Sequence, residues 1–288
     1  MSDSLEIRKG AILSYANVAF LFLIGLLYTP WLVNTIGADD YGLYTLAVSV
    51  INFFLLDFGL GTAISRYLAK YIAEGKPEKA NSFLGTAYAV YCLIAAVMSI
   101  ALIVVYLNIE TIYSGLSEGQ IGTFKSLYIV VAFYSVVSMP FLSQNGVLLA
   151  NNNLVVLKAC TLIQKAFVTL LTIIGVILGY GVFAIVFVTA MGNLLFIAVK
   201  MVLIRRLTSL RGAMRLANKK DAKDLALFTG WVSIGQVCER CNWMLMPSVL
   251  GVMSNSFEIA VFGLVNQLQG YVWNIADALG SLFLPKVT

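Results

Sequence analysis

Apolar stretches long enough to cross a membrane occupy most of this chain. A hydrocarbon core about 30 Å thick requires roughly 20 apolar residues in a helix. Eight such stretches occur, near residues 11–36, 41–65, 82–107, 122–149, 159–179, 181–203, 226–250 and 257–284. Each is expected to be helical, because an isolated strand in lipid leaves its backbone groups unpaired. With 60% hydrophobic and 11% charged residues, the sequence predicts an all-α integral membrane protein with eight transmembrane helices.

The basic residues indicate how these helices are oriented. Of the 19 Lys and Arg residues, 17 lie before the first stretch, after the second, fourth or eighth, or between the sixth and seventh. The intervening turns, near residues 39–40, 108–121, 179–181 and 251–258, contain none. Because basic loops stay in the cytoplasm, both termini are predicted to be cytoplasmic. This multi-pass topology accounts for the net charge of +5, and nucleic-acid binding is not needed to explain it.

The short turns restrict the functions that such a chain can have. Membrane-bound transferases, ligases and polymerases carry their acids, bases or metal ligands on loops or soluble domains, for which this sequence has no room. Cys238 and Cys241 have a C-x-x-C spacing, but the chain has no His, and one cysteine pair in an apolar helix is a poor metal site. We therefore expect no enzyme activity, no metal and no cofactor.

The longest polar segment, residues 205–225, separates the sixth and seventh stretches. Its Leu207, Leu210, Met214 and Ala217 recur at helical spacing among basic residues. This pattern predicts a basic amphipathic helix on the cytoplasmic surface, attracted to anionic lipids; a linker that only fixes the topology is the alternative.

The same segment divides the chain into three predicted parts. These are an N-terminal six-helix transmembrane lobe (1–204), the linker helix (205–225) and the first two helices of an incomplete second lobe (226–288). Asp57 and Arg66 have counterparts about 220 residues later in Asp277 and Lys286. The recurrence indicates a parallel repeat of six-helix bundles, a common transporter architecture with a central site; a chance match is the alternative.

Polar residues share one helix face within three of the apolar stretches, because residues three or four positions apart lie on the same side of a helix. They are Asn17 in the first stretch, Gln236 and Arg240 in the seventh, and Asn266, Gln269, Trp273 and Asp277 in the eighth. Such stripes turn away from lipid, towards a watery cavity or towards a neighbouring helix, where each hydrogen bond adds about 0.6 kcal/mol. For Asn17 the contact between helices is the favoured interpretation.

Acidic residues inside the apolar stretches are stronger functional candidates. A charge at a helix centre costs about 2.5–3.5 kcal/mol on the insertion scale, which one or two hydrogen bonds do not offset. The acidic residues are Asp57, Glu239 and Asp277. Either the last two pair with Arg240, or these residues line a cavity.

The remaining candidate functional residues are a pair of glycines and several basic residues. Gly59 and Gly61 follow Asp57 and predict a hinge. Lys165, inside the fifth stretch, either snorkels to the cytoplasmic interface or points a cation into a vestibule. Arg66 either anchors the topology or helps to make a cavity that is electropositive towards the cytoplasm and suited to a phosphate-bearing substrate. The other cations of that cavity would be Lys158, Lys165 and Arg240.

The first hairpin closely resembles that of bacterial polysaccharide-export flippases. The resemblance rests on two runs, IGADDYGLY at residues 36–44 and DFGLGTAISRY at residues 57–67. The FLPK ending at residues 283–286, the order of the stretches and the basic loop are also similar to the family. These flippases, O-antigen flippases among them, belong to the multidrug/oligosaccharidyl-lipid/polysaccharide transporter superfamily. The resemblance implies a bundle like that of the multidrug and toxin extrusion (MATE) transporters, with two six-helix lobes around a central cavity.

The resemblance also implies a function. A flippase of the bacterial inner membrane would move a polyprenyl-pyrophosphate-linked oligosaccharide, an O-antigen (lipopolysaccharide) or other surface unit, from the cytoplasmic to the outer leaflet by alternating access. Membrane lipids and other polysaccharide-assembly membrane proteins are the expected partners. Relatives have twelve or more spans, so we expect a fragment of a longer transporter. The alternatives are a small-solute or drug exporter of the same superfamily and a truncated fragment that does not transport.

Under this hypothesis the candidate residues take three roles. Cationic side chains would neutralise the pyrophosphate: Arg66, Lys165 and Arg240. The polar stripes would hydrogen-bond the sugars through Asn17, Gln236, Asn266, Gln269 and Trp273. Candidates for coupling transport to a proton or sodium ion, because a buried carboxylate can exchange protons, are Asp57, Glu239 and Asp277.

Overall fold

The computed structural model describes residues 12–13, 15–20, 22–54, 57–212 and 214–287. Within these ranges the chain forms helices and no strand, which confirms the predicted all-α class. In chain order the longer helices are α1 (Tyr15–Ile36), α2 (Ala38–Phe54), α3 (Leu60–Ala73), α4 (Pro77–Leu107), α5 (Glu118–Ala150), α6 (Leu154–Ile177), α7 (Gly181–Leu207), α8 (Lys219–Met253) and α9 (Ser256–Val287). A one-turn helix, Ile109–Ile112, precedes α5.

Five of the described helices are long and apolar enough to cross a membrane by length and composition, namely α1, α4, α5, α6 and α7. The predicted count of eight spans is supported for these five. The second predicted span is divided, because α2 ends at Phe54 and α3 begins only at Leu60. α5 tightens to a 3₁₀ turn at Met139–Leu142, where Pro140 has no backbone N–H to continue the α-helical hydrogen bonds.

The turns gather at two ends of the helical bundle. At the basic end, the side chain of Asn81 accepts a hydrogen bond from the backbone N–H of Arg211 (2.6 Å), and Ser82 donates to Asp221 (3.0 Å). At the opposite end, Gln120 donates to Ser256 across the bundle (2.8 Å). The turns rich in Lys and Arg therefore lie at one end of the bundle and the turns predicted to face the other side lie at the opposite end, as the charge distribution predicts. Which end faces the cytoplasm stays a prediction.

The linker is not the helix that its amphipathic pattern predicts. After α7 ends at Leu207, the described residues up to 218 are irregular except for a 3₁₀ turn at Met214–Leu216, and α8 begins at Lys219. Its backbone hydrogen bonds go to α4 instead, where Thr86 accepts from the N–H of Asn218 (2.9 Å). Tertiary hydrogen bonds therefore override the local helical preference across this segment.

Buried apolar side chains form two clusters, one towards each end. The cluster near the opposite end includes Leu46 of α2, Phe124 of α5 and Ile259 of α9. The cluster near the basic end includes Leu68 of α3 and Leu225 of α8. Both α8 and α9 pack against α2, so the final hairpin lies on the first half of the divided second span. The division into lobes at 1–204 and 226–288 stays a prediction.

Candidate functional site

A polar face runs along α6, in the middle of an otherwise apolar helix. Its residues recur at spacings of three or four and are Lys158, Thr161, Lys165, Thr169 and Thr172. Residues at this spacing lie on one side of a helix. The two lysines are among the candidates from the sequence, whereas the three threonines are not, although their helical spacing is readable there.

Lys165 lines a cleft of about 310 Å³ beside this face. The lining residues are Ile24, Thr161, Gln164, Lys165, Val168, Thr169, Thr189 and Asn193. Lys165 lies midway along α6, about 16 Å from the start of the helix at ~1.5 Å per residue. That is roughly half of a ~30 Å hydrocarbon core, and the side chain faces the cleft. The vestibule interpretation of Lys165 therefore fits this geometry better than snorkelling does.

Amides and hydroxyls, rather than carboxylates, surround the Lys165 cleft. Gln164 donates to the side-chain oxygen of Asn193 across the α6–α7 contact, and Tyr134 of α5 also hydrogen-bonds Asn193. Among the described residues, ion pairs join Lys70 and Lys76 to Glu74 and Lys125 to Glu110. None of these pairs includes Lys165. The cleft therefore combines one cation with neutral hydrogen-bonding groups.

Helix α1 forms the other wall of the cleft and runs parallel to α6. Asn17 donates to the backbone carbonyl of Lys158 (3.3 Å), and Tyr28 hydrogen-bonds Thr172 further along both helices. Between these two contacts α1 widens to a π-helix over Ile24–Tyr28, a form often found at functional sites. Asn17 thus joins two helices, in line with the favoured interpretation, and its buried Oδ1 has no partner among the described groups.

Asp57 lies where the second predicted span is divided, and its carboxylate is hydrogen-bonded. Tyr91 of α4 donates its hydroxyl to one oxygen, and the backbone N–H of Gly61 donates to the other (3.1 Å). Phe58 and Gly59 have positive φ values of 52° and 71°, a conformation that glycine adopts readily. Asp57 therefore stabilises the first turn of α3. Its role in ion coupling, like hinge motion at Gly59 and Gly61, stays a prediction.

Replacement of Tyr91 by Phe is expected to destabilise the protein. Tyr91 is fully buried, and loss of a hydrogen bond to a charged group typically costs about 1.5–3 kcal/mol. The measurement is the thermal unfolding midpoint of the purified protein in detergent. Tyr180→Phe is the matched control, because that ring is 67% exposed. Equal midpoints for the two variants would show that the bond to Asp57 contributes nothing.

The remaining predicted site residues are dispersed. Arg66 is exposed, and its guanidinium lies 5.6 Å from the centre of the Phe228 ring on α8, so its described neighbours differ from those of Lys165. Gln236 and Asn266 are half-buried, whereas Gln269 and Trp273 are exposed. The side chains of three residues lie outside the described part of the structure: Glu239, Arg240 and Asp277. A common cationic cavity of Arg66, Lys165 and Arg240 stays a prediction.

Gln267 is a polar connection that the sequence analysis missed. Its amide donates to the hydroxyl of Thr29 in α1 (3.0 Å) and accepts from the hydroxyl of Tyr41 in α2 (3.3 Å). Gln267 thereby joins α1, α2 and α9. It lies beside the stripe that contains Asn266 but on a different face of α9, so a search at helical spacing from that stripe does not find it.

Comparison with known proteins gives one match. The family model described as polysaccharide biosynthesis protein matches residues 7–281. No curated protein sequence and no solved structure matches the chain. Since the matched region includes nearly all of the chain and every helix that contributes to the Lys165 cleft, the chain belongs to the polysaccharide biosynthesis protein family.

Proposed function

We propose that this protein is a flippase for a polyprenyl-pyrophosphate-linked oligosaccharide, an intermediate of surface polysaccharide assembly. The observation that carries the proposal is the Lys165 cleft, a cation at mid-depth among amides and hydroxyls. Membership of the family supports a role in polysaccharide biosynthesis. The five long apolar helices support a location within a membrane.

The chemistry of the cleft suits a phosphorylated head group. A diphosphate cannot enter the hydrocarbon core unless its charge is neutralised and hydrogen-bonded. The ammonium of Lys165 supplies a charge-assisted hydrogen bond to a phosphate oxygen. The hydroxyls of Thr161, Thr169 and Thr189 and the amide of Gln164 supply neutral partners for phosphate or sugar oxygens. The polyprenyl tail would stay in lipid beside the bundle.

Transport would follow from alternate exposure of this cleft to the two sides of the membrane. The basic end would face the cytoplasm, as the positive-inside rule predicts, and the head group would enter there and leave at the opposite end. Arg66 and Arg240 would attract the head group on the basic side. In a bacterium this places the protein in the inner membrane, together with the other membrane proteins of polysaccharide assembly.

Reconstitution tests the proposal directly. The full protein is placed in vesicles with a polyprenyl-diphosphate-linked oligosaccharide in both leaflets, and an impermeant glycosidase then digests the outer pool. With the protein present, digestion is expected to proceed past half of the total, because inner-leaflet molecules reach the surface. Digestion that stops at half, as in protein-free vesicles, would contradict the proposal if circular dichroism shows the reconstituted protein to be helical.

A further inference from the structure

Three polar side chains from distant parts of the chain meet at the opposite end of the bundle. The hydroxyl of Ser256, at the start of α9, donates to the carboxylate of Asp39 in α2. The same hydroxyl accepts from the amide of Gln120 in the first turn of α5 (2.8 Å). Ser256 is fully buried, whereas Asp39 is exposed. We call these three residues the Ser256 latch.

Two glycines allow the latch to close tightly. A Cβ added to Gly42 of α2 would lie 1.9 Å from the backbone oxygen of Ser256. A Cβ added to Gly115, just before α5, would lie 2.2 Å from the backbone oxygen of Ser254. Neither backbone oxygen can rotate away as a side chain can. The turn between α8 and α9 therefore requires a residue without a Cβ at positions 42 and 115.

The latch also gives a structural role to the run at residues 36–44, which the sequence analysis singled out only as a resemblance. Asp39 binds Ser256, Tyr41 binds Gln267, and Gly42 accommodates the backbone of Ser256. Three positions of this run therefore contact α9. The neighbouring Asp40 forms no hydrogen bond or ion pair with the described residues.

We infer that the Ser256 latch is a gate, which holds the α8–α9 hairpin against α2 and must open before water or substrate reaches the bundle from this end. The inference rests on the proposed function, because a flippase requires each end to open in turn. Asp39 and Gln120 both bond the hydroxyl of Ser256, so the closed position depends on one small group. Removal of either the carboxylate or the hydroxyl breaks the central hydrogen bond, and the apolar contacts of α2 with α9 remain.

Thiol labelling measures the opening of this end without any transport assay. The four cysteines are replaced by Ala in the full chain, and Ala260→Cys is introduced as a probe, because Ala260 of α9 is 1% exposed. Cells or right-side-out vesicles are treated with an impermeant maleimide. Asp39→Ala and Ser256→Ala are compared with Asp40→Ala. A second probe, Ser114→Cys, reports general reactivity, because Ser114 is exposed in the turn before α5 at the same end.

We expect Asp39→Ala and Ser256→Ala each to raise the labelling rate at position 260 about tenfold, since hydrogen bonds to charged groups are worth about a factor of ten or more in an equilibrium constant. Their double variant should label no faster than Ser256→Ala alone, because Ser256→Ala already removes the bond that Asp39→Ala removes. Asp40→Ala should match the parent. Labelling at position 114 should be equal in all variants, which shows that the reactivity of the reagent is the same in each.

Two results separate the gate from the proposed function. Equal labelling at position 260 in the parent and in all three single variants would overturn the gate, even if reconstituted transport succeeds. Faster labelling in Asp39→Ala and Ser256→Ala supports the gate, even if the vesicle assay shows no movement of lipid-linked oligosaccharide. Should Asp39→Ala not accumulate in the membrane, Gln120→Ala and Ser256→Ala test the same latch from its other two members.

Discussion

Lys165→Gln is expected to reduce transport at least tenfold. The substitution keeps hydrogen-bonding capacity but removes the charge that faces the cleft. A hydrogen bond to a charged group is worth about 1.5–3 kcal/mol, and 1.4 kcal/mol corresponds to a factor of ten. The measurement is the rate at which inner-leaflet oligosaccharide becomes accessible in reconstituted vesicles, at matched amounts of protein.

Two matched variants define what this result means. Lys165→Arg keeps the positive charge and should retain a substantial share of the rate. Lys76→Gln should leave the rate unchanged, because Lys76 is exposed and pairs with Glu74, and exposed ion pairs contribute little. If Lys165→Gln transports as fast as Lys76→Gln does, Lys165 has no role in neutralising the head group.

Gly42→Ala is expected to destabilise the protein. The added Cβ would lie 1.9 Å from a backbone oxygen, so α9 must move away from α2 or the turn must distort. Inserting atoms into a packed contact costs about 1–3 kcal/mol, occasionally more. The measurement is the thermal unfolding midpoint in detergent, with retention on size-exclusion chromatography after heating as a second readout.

Gly119→Ala is the matched control for Gly42→Ala. Gly119 lies in the first turn of α5, and an added Cβ there meets nothing within 4 Å. An unstrained Gly-to-Ala change typically stabilises by about 0.4–1 kcal/mol, chiefly by restricting the unfolded chain. We therefore expect midpoints that change in opposite directions. A midpoint for Gly42→Ala at or above that of the parent would show that the tight α2–α9 contact is not present in the protein.

The sequence predicts the helical membrane class, because hydrophobic length is a local property, and charge within an apolar stretch is equally visible in it. It identifies Asp57 as a carboxylate that needs partners. It cannot identify Tyr91 as the donor, because the two residues are 34 positions apart and meet only through the packing of α4. Lys165 is similar: its charge is visible in the sequence, but the cleft that it faces depends on the contacts of α6 with α1 and α7.

Local patterns also mislead where distant groups compete for the backbone. The amphipathic spacing in residues 205–225 predicts one continuous helix. Asn81, Ser82 and Thr86 of α4 instead hydrogen-bond the part between the end of α7 and the start of α8, which is not α-helical. Amphipathic spacing measures only the preference of the segment itself. The side chains that override it belong to α4, more than 100 positions earlier in the chain.

The Ser256 latch joins residues 217 positions apart, which has a consequence for biosynthesis. At a synthesis rate of about 5–20 residues per second, Ser256 follows Asp39 out of the ribosome after about 11–43 s. During this interval α2 lies in or at the membrane with its carboxylate and the Gly42 surface uncovered. α2 therefore lacks its α9 partner throughout this interval, and the contact that closes the bundle at this end forms only when translation reaches the final hairpin.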